Sequence, residues 1–252
     1  MPATPAWPPR SAPRLFVSVP IVLGTPVIVD GNAAHYLGKV MRVGAGDAVI
    51  LCDDATGEWA CTVANASKRA ITLDPVEKLR EREQVPDFWL VPALLKKDRF
   101  DMVLEKATEL GVRAIRPVVT RRCVADKLNA ERARTIVTEA AEQCARTALP
   151  DLAEPQKLEA MLRDWPQDRT LFFADELGGK PAADAFTAHN APAALLVGPE
   201  GGFDDAERAA IRAHPQSQAI TLGPRILRGE TAAMAATALW MGTMGDWREQ
   251  QD

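Results

Sequence analysis

The sequence has few of the features that would place it outside ordinary globular proteins. It contains four cysteines in 252 residues, and no two of them form a C-x-x-C pair. Their wide spacing indicates neither a disulfide framework nor a zinc site, so we expect reduced thiols and no bound metal. No apolar run approaches the roughly 18 residues that span a bilayer. Residues 1–13 lack the order of a signal peptide and are rich in Pro and Ala. We therefore expect a disordered tail on a cytoplasmic protein without a membrane segment.

Positive charge is also scarce. Thirty Lys and Arg against 34 Asp and Glu give a net charge of −4 and a pI near 5.5. This balance argues against indiscriminate binding to nucleic acid, because neutralising phosphates requires cations. Residues 94–127 are an exception, with nine Lys or Arg against five acids. Both a solvated helix surface and a local basic face are consistent with this excess.

Residues 14–75 have the short apolar runs of a small β-rich domain. The runs predict five strands, at 15–17, 27–29, 48–51, 59–64 and 70–73. Asp30 is placed to cap a helix that extends to about Met41. Five strands and one helix in so short a span predict a small barrel. The charge-rich segment 76–86, which ends in a proline, predicts a linker.

From residue 87 onward, apolar strands alternate with amphipathic helices. Strands are predicted at 88–94, 114–119, 170–174, 193–197 and 217–222, and helices at 99–110, 130–148, 157–165, 204–213 and 230–244. Asp204, with Glu207 three residues later, forms a capping-box pattern, and Gly111 is placed to end the first of these helices. The alternation predicts an α/β domain whose parallel sheet is covered by helices on both faces.

Two turns after apolar strands carry the strongest functional signal. The first reads Gly-Pro-Glu-Gly-Gly at 198–202, and the second reads Leu-Gly-Pro-Arg-Ile-Leu-Arg at 222–228. Their spacing fits neither a P-loop nor G-x-G-x-x-G. We expect both turns at the carboxyl ends of neighbouring strands, where open α/β sheets bind ligands. Structural explanations also stay open: glycines that only form a tight turn, and arginines that pair with Glu200 or Glu230.

Together the two turns resemble those of the RsmE-type RNA methyltransferases of the SPOUT class. That family methylates N3 of a uridine near the 3′ end of small-subunit (16S) ribosomal RNA with S-adenosylmethionine. Further segments occur in the family's order, namely 35–37, Met41 with Arg42, 106–112, Thr120 with Arg122, and 142–144 with Arg146. The resemblance spans roughly residues 14–245.

The resemblance implies a fold of two domains. A PUA-like, RNA-binding β-barrel is expected over 14–75, followed by a SPOUT methyltransferase domain over 87–247 with a C-terminal trefoil knot. It also implies a homodimer that acts on 16S rRNA within the small ribosomal subunit. The loops of the knot would hold S-adenosylmethionine. The implied cofactor contacts are Ala174, Val197, Gly198, Gly201, Leu222, Gly223, Leu227 and Thr231.

The implied reaction assigns roles to three further side chains. The proton on N3 must leave before the nitrogen can attack a methyl group, and a nearby cation would stabilise the resulting anion. Arg228 is the first candidate for that cation, and Arg146, from either subunit, is the second. Glu200 is a candidate to accept the proton or to orient an arginine, as is Glu230, and the charge of Glu200 would favour a sulfonium.

RNA contacts are expected from basic side chains in both domains, because phosphate contacts set the register of a nucleic acid. The expected contacts are Arg14, Lys39, Arg42, Lys96, Lys97, Arg99 and Arg122. Two other functions stay open at this point. One is SPOUT methylation of a ribose 2′-hydroxyl or of a different base, and the other is an RNA-binding assembly protein without catalysis.

Overall fold

The structure is a computed structural model that describes residues 7–67, 69–189 and 192–248. It divides into two compact units, Met1–Gln84 with Ala141–Leu149 and Val85–Ala140 with Pro150–Asp252. Residues 1–6 of the expected tail lie outside the described residues. At the end of that segment, Pro13 is buried and its carbonyl accepts a hydrogen bond of 2.8 Å from the Ile50 N–H. Ordered contacts therefore begin before residue 14.

The first unit is built on one five-stranded sheet. Its strands are β1 (Arg14–Phe16), β2 (Val27–Asp30), β3 (Ala48–Cys52), β4 (Glu58–Ala66) and β5 (Ala70–Arg80). The order is β1-β3-β4-β5-β2, with β1 parallel to β3 and the other pairs antiparallel. The five predicted strands are thus present. Among the described strands β1 and β2 remain edges, so the predicted small barrel is present as a half-barrel sheet.

The helical segment after β2 differs from the prediction. It consists of α1 (Gly31–His35) and a single π-helical turn, Tyr36–Val40. The side chain of Asp30 forms no capping hydrogen bond. The π turn places Leu37 in the core, where it is fully buried, whereas Met41 beyond the turn is exposed. The expected regular helix to Met41 is therefore wrong, because the winding changes within it.

A buried carboxylate explains why β5 extends into the segment predicted as a linker. Glu58 is 4% exposed and accepts hydrogen bonds from Arg80 Nε at 2.6 Å and from Arg14 Nε at 2.8 Å. Burial by itself would raise the pKa of Glu58, but the two arginines hold that pKa below its ordinary value. The charge of Arg80 is therefore part of the fold, and the charge-rich composition of residues 76–80 was misleading.

Two of the cysteines lie in the sheet of the first unit as thiols. Cys52 on β3 and Cys61 on β4 are buried. Burial raises the pKa of each of these two thiols to about 12, because the thiolate loses its hydration. Both side chains therefore act as small apolar groups in the core of the first unit.

The second unit contains strands and helices in alternation. Its longer strands are β6 (Phe88–Pro92), β11 (Thr170–Ala174), β13 (Ala193–Val197) and β14 (Ser217–Thr221). Its two-residue strands are β7 (Ala114–Ile115), β8 (Val118–Val119), β9 (Asp151–Leu152), β10 (Gln156–Lys157) and β12 (Lys180–Pro181). Its helices are α2 (Lys97–Glu109), α3 (Ala130–Cys144), α4 (Leu158–Arg163), α5 (Ala182–Thr187), α6 (Asp205–Ala213) and α7 (Gly229–Thr243).

Seven of these strands form a sheet in the order β12-β14-β11-β13-β6-β7-β9, and its strand pairs are parallel. The expected parallel sheet is therefore confirmed. One expectation about it is wrong, because β13 and β14, which precede the two glycine-bearing turns, are not neighbours. β11 lies between them and pairs with both. A third loop, after β11, consequently joins the other two at the same edge of the sheet.

The ends of several elements follow from local conformation. Gly111 has a φ of +88° and ends the turn after α2, as predicted. Ala145 has a φ of +61°, so α3 ends at Cys144 and not at residue 148. The two-residue strands and α5 were not predicted individually, because such short segments contain too few residues to show a period. In the part of the chain that the structure describes, no helix combines the length and apolar character needed to cross a membrane.

The turn between β3 and β4 gives the first testable prediction. Gly57 has a φ of +107°, and a Cβ at this position would lie 2.2 Å from the Arg80 carbonyl oxygen. We expect Gly57→Ala to lower the free energy of unfolding by about 3 kcal/mol, since it combines left-handed strain with backbone overlap. Urea unfolding of the full chain measures this.

Gly24→Ala is the matched control, because Gly24 has a φ of +79° and a Cβ there would meet open space. It should cost only the conformational term, about 1 kcal/mol. Equal losses in the two variants would show that the contact with Arg80 does not matter.

Candidate functional site

A cavity opens at the edge of the sheet where β14, β11 and β13 end. Three loops line it, and they follow Ala174, Val197 and Thr221. The carboxyl ends of adjacent parallel strands meet at this edge, which is the usual ligand position in open α/β sheets. Six of the eight predicted cofactor contacts line the cavity: Ala174, Val197, Gly198, Leu222, Gly223 and Leu227.

The other two predicted cofactor contacts do not line the cavity. The Gly201 carbonyl accepts a hydrogen bond of 2.9 Å from Arg122 Nη1, so it holds a side chain that was expected to contact RNA. Thr231 is exposed in the first turn of α7. Gly201 belongs to the first turn and Thr231 to the helix that follows the loop after β14, and neither is part of the cavity wall.

The first turn and the start of α7 lie too close together for side chains between them. A Cβ on Gly229 would lie 3.0 Å from the Gly198 carbonyl oxygen and 3.1 Å from Leu95. A Cβ on Gly198 would lie 3.0 Å from the ring of Phe203. These approaches are tighter than most Cβ contacts and favour glycine at both positions, so the wall of the cavity here is formed largely by main chain.

Ion pairs hold the loop after β11 against α6. The Asp175 side chain is fully buried, and Arg212 donates to it from Nε at 3.0 Å and Nη2 at 2.5 Å. Arg208 lies 3.5 Å from the same carboxylate and donates to Glu176 at 2.8 Å. Sequence reasoning missed this network. The sequence did contain a signal for this network, namely two acids directly after a predicted strand and two arginines four residues apart on a predicted helix.

The helix that provides these arginines begins as predicted. Asp204 accepts a hydrogen bond of 2.7 Å from the Glu207 N–H, and Glu207 accepts one of 3.1 Å from the Asp204 N–H. This capping box satisfies two otherwise unpaired donors at the start of α6. The first turn of the cavity therefore leads directly into a helix whose position is well defined.

A second charged cluster lies beside the first turn. Arg99, at the start of α2, has Nη1 3.4 Å from Glu200 and Nε 3.7 Å from Glu230. The Lys96 N–H is 3.4 Å from the same oxygen of Glu200. Arg99 was expected to contact RNA, but it is the arginine that pairs with these acids. Within the described residues, the second carboxylate oxygen of Glu230 is buried and has no hydrogen-bond partner.

Arg228 is differently placed from Arg99. It precedes α7 at the end of the loop after β14, where its carbonyl accepts a hydrogen bond from the Ala232 N–H at 2.8 Å. Arg228 is exposed. Among the described residues no acidic group forms an ion pair with it, so its guanidinium is available to a ligand.

The remaining predicted residues fall in two groups. Lys96 and Lys97 are exposed at the start of α2, in the same unit as Arg228 and Glu200. The first unit contains Arg14, Lys39, Arg42 and Arg146. Lys39 and Arg42 are exposed, whereas Arg14 is engaged with Glu58. Across the described ranges, no cluster of His, Cys, Asp and Glu side chains is suited to hold a metal ion.

Arg146 belongs to the first unit and is buried. Its side chain is 4% exposed, and its Nε is 3.8 Å from Glu83. Burial lowers the pKa of Arg146 from its ordinary value, and Glu83 opposes that effect. These surroundings suit a residue that supports the fold of the first unit, and its contact with a substrate stays a prediction.

Two stretches of the chain match known families. Residues 81–241 match the RNA methyltransferase domain, and residues 29–76 match the RNA methyltransferase PUA domain. The first match includes the three loops of the cavity. The second includes most of the half-barrel sheet.

Individual relatives extend the likeness over most of the chain. The ribosomal RNA small subunit methyltransferase E of Synechocystis sp. is 30% identical over 232 residues, which cover 89% of this chain and 76% of that protein. The protein of the same name from Rickettsia conorii is 28% identical over 214 residues, or 84% of this chain and 87% of that protein. A crystal structure of ribosomal RNA small subunit methyltransferase E from Neisseria gonorrhoeae, bound to S-adenosyl methionine, has a TM-score of 0.86 at 27% identity and covers 94% of this chain and 100% of that chain.

The ion-pair network at the cavity predicts unequal effects for two adjacent carboxylates. Asp175→Asn should lower the free energy of unfolding by about 3 kcal/mol or more, because it removes the charge that compensates the largely buried Arg208. The control is Glu176→Gln. The Glu176 side chain is 43% exposed, so this change should lower the free energy of unfolding by less than about 1 kcal/mol. Urea unfolding monitored by circular dichroism compares the two. Similar losses would contradict the assignment of Asp175 as the centre of the network.

Proposed function

The chain belongs to the ribosomal RNA small subunit methyltransferase E family of RNA methyltransferases, and we propose that it transfers a methyl group from S-adenosylmethionine to small-subunit rRNA. The acceptor that we propose is N3 of a uridine near the 3′ end of 16S rRNA. The observation that carries the proposal is that both glycine-bearing turns of the family's signature line one cavity at the strand ends.

The residues of the cavity fit S-adenosylmethionine. The close approach of Gly198 and Gly229 leaves main-chain groups on the wall, and the apolar side chains of Val197, Leu222 and Leu227 suit a purine ring. Glu176 also lines the cavity, where its carboxylate is paired with Arg208. When bound, the cofactor supplies a methyl group already activated by its sulfonium.

The chain's own side chains must prepare the uridine. The N3 lone pair becomes available only after the N3 proton leaves, and a fixed cation lowers the cost of the resulting anion. We assign this cation to Arg228, since its guanidinium has no acidic partner among the described residues. Glu200, whose side chain is 22% exposed, is assigned as the proton acceptor. Glu230 is only 10% exposed and orients Arg99 beside it.

Several finer features follow from the same proposal. We propose that the three loops belong to a trefoil knot and that the protein is a cytoplasmic homodimer that acts within the small ribosomal subunit. The adjacency of β14, β11 and β13 is consistent with such a knot. The match of residues 29–76 to a PUA domain supports RNA binding by the first unit, where Lys39 and Arg42 are exposed.

The first test is product analysis. The protein is incubated with methyl-labelled S-adenosylmethionine and unmethylated small ribosomal subunits, and the RNA is digested to nucleosides. We expect label in 3-methyluridine. Label in another base or in a 2′-O-methyl ribose would support the cofactor but contradict the proposed acceptor atom. No label, together with no cofactor binding, would favour a non-catalytic RNA-binding protein.

The role of Arg228 is tested with Arg228→Ala. We expect kcat to fall by about 10²- to 10³-fold, because a charge-stabilising donor is lost in the transition state, while the Kd of the cofactor stays within a few-fold. Arg163→Ala, which removes an exposed arginine paired with Asp164 on α4, is the control and should behave as wild type. An unchanged kcat in Arg228→Ala would remove Arg228 from the mechanism.

The role of the first turn is tested with Gly198→Val. The added side chain would overlap the ring of Phe203 and deform the cavity, so we expect no measurable cofactor binding by calorimetry and nearly unchanged RNA binding. Gly44→Ala is the control, because a Cβ there has ordinary contacts only. Retained cofactor affinity in Gly198→Val would place the cofactor elsewhere.

A further inference from the structure

A second cavity, of about 340 Å³, lies in the second unit between the start of α2 and the segment that precedes α3. None of the three loops of the first cavity contributes to its lining. Its volume falls in the range of small-molecule sites, roughly 300–1,000 Å³. It is therefore large enough to hold a ligand group of its own.

The interior of this cavity is apolar. Leu94, Leu95 and Phe100 line it and are buried, and Leu128 adds a partly buried side chain. Such a lining favours a flat, weakly hydrated group such as an unstacked nucleobase. Aromatic and aliphatic walls accept any base, because every base has a π-face.

The charged lining of the cavity is cationic. Lys97 and Lys127 line it and are exposed, and neither forms an ion pair with a described residue. Asp101 also lines it, but Arg132 donates to that carboxylate at 2.6 Å and compensates its charge. Two ammonium groups therefore remain beside an apolar cavity, which is the complement of a base attached to a phosphate.

We propose that this cavity binds a nucleotide of the RNA substrate, with its base in the apolar interior and its phosphate at Lys97 and Lys127. This inference rests on the proposed function, since it assumes that the chain acts on RNA. In this site Lys97 contacts the phosphate together with Lys127, which lies 30 positions later in the sequence.

The nucleotide in this cavity is not the one that is methylated. Leu95 forms part of the cavity wall, and its side chain lies where it would meet a Cβ on Gly229, which lines the first cavity. The two cavities are thus separated by a side chain, whereas methyl transfer requires reacting atoms at roughly 3–3.5 Å. A nucleotide in the second cavity contributes binding energy away from the reaction and fixes the position of the target.

Filling the cavity tests the proposal. Ala125 lines it, so Ala125→Phe places a ring inside, whereas the control Val124→Phe adds the same ring at an exposed neighbour outside the lining. With unmethylated small ribosomal subunits as substrate, we expect Ala125→Phe to raise KM at least about 10-fold. The Kd of S-adenosylmethionine should stay at the wild-type value in both variants.

Removing the cations provides a second test that does not depend on the filled variant folding correctly. Lys97→Ala/Lys127→Ala should weaken RNA binding about 10-fold or more and should lower the slope of log Kd against log salt by about two. The control Lys157→Ala/Arg163→Ala removes two exposed cations that do not line the cavity and should leave both unchanged.

The outcomes separate this inference from the proposed function. If wild type transfers no methyl group to the RNA, the proposed function fails. If wild type is active and the cavity variants match their controls, the nucleotide site is wrong. A change in the oligomeric mass of Ala125→Phe in solution would also overturn the proposal, because a second copy of the chain would then occupy the cavity.

Discussion

The buried carboxylate of Asp175 is the interaction on which the candidate site depends. Directly after β11, it binds Arg212 and lies beside Arg208, both from α6. Since α6 follows the first glycine-bearing turn, this one side chain ties two of the three loops of the cavity to each other. A buried charge without partners is unfavourable. Separating the loops would remove the arginine partners of Asp175, and this cost keeps the loops together. A ligand therefore meets a wall that is already formed.

Close main-chain packing at two glycines adds a second constraint on the shape of the cavity. Gly229 starts α7 against the Gly198 carbonyl, and a Cβ at either position would meet a neighbour at about 3.0 Å. The loop after β14 thereby ends against the first turn, with the two main chains in close contact. Specific recognition in such a cavity comes from backbone geometry more than from side chains, which is why the two turns were recognisable as sequence patterns. Their function could be inferred from the sequence only through the resemblance to a known family, because a tight turn without a ligand has the same glycine pattern.

Features set by local patterns could be predicted from the sequence, and features set by partners distant in the chain could not. The alternation of strands and helices and the capping box of Asp204 depend on neighbouring residues. The position of β11 between β13 and β14 depends on how the chain crosses over the sheet, which no run of residues encodes. The same holds for the ion pairs of Arg14 and Arg99, whose RNA contacts stay predictions. Their acidic partners lie 44 and 101 positions away, beyond any periodic pattern.

These distant partners also reconcile an acidic chain with a nucleic-acid substrate. Many arginines of the second unit are committed to carboxylates, including Arg99, Arg132, Arg169, Arg208 and Arg212. Cations used in this way neutralise the protein's own acids and add little to the field that an RNA experiences. The cations of this unit that form no ion pair with a described residue include Arg228, Lys97 and Lys127. Selection of RNA would then depend on a fit to particular positions and not on bulk attraction, which suits an enzyme that must find one nucleotide among many phosphates.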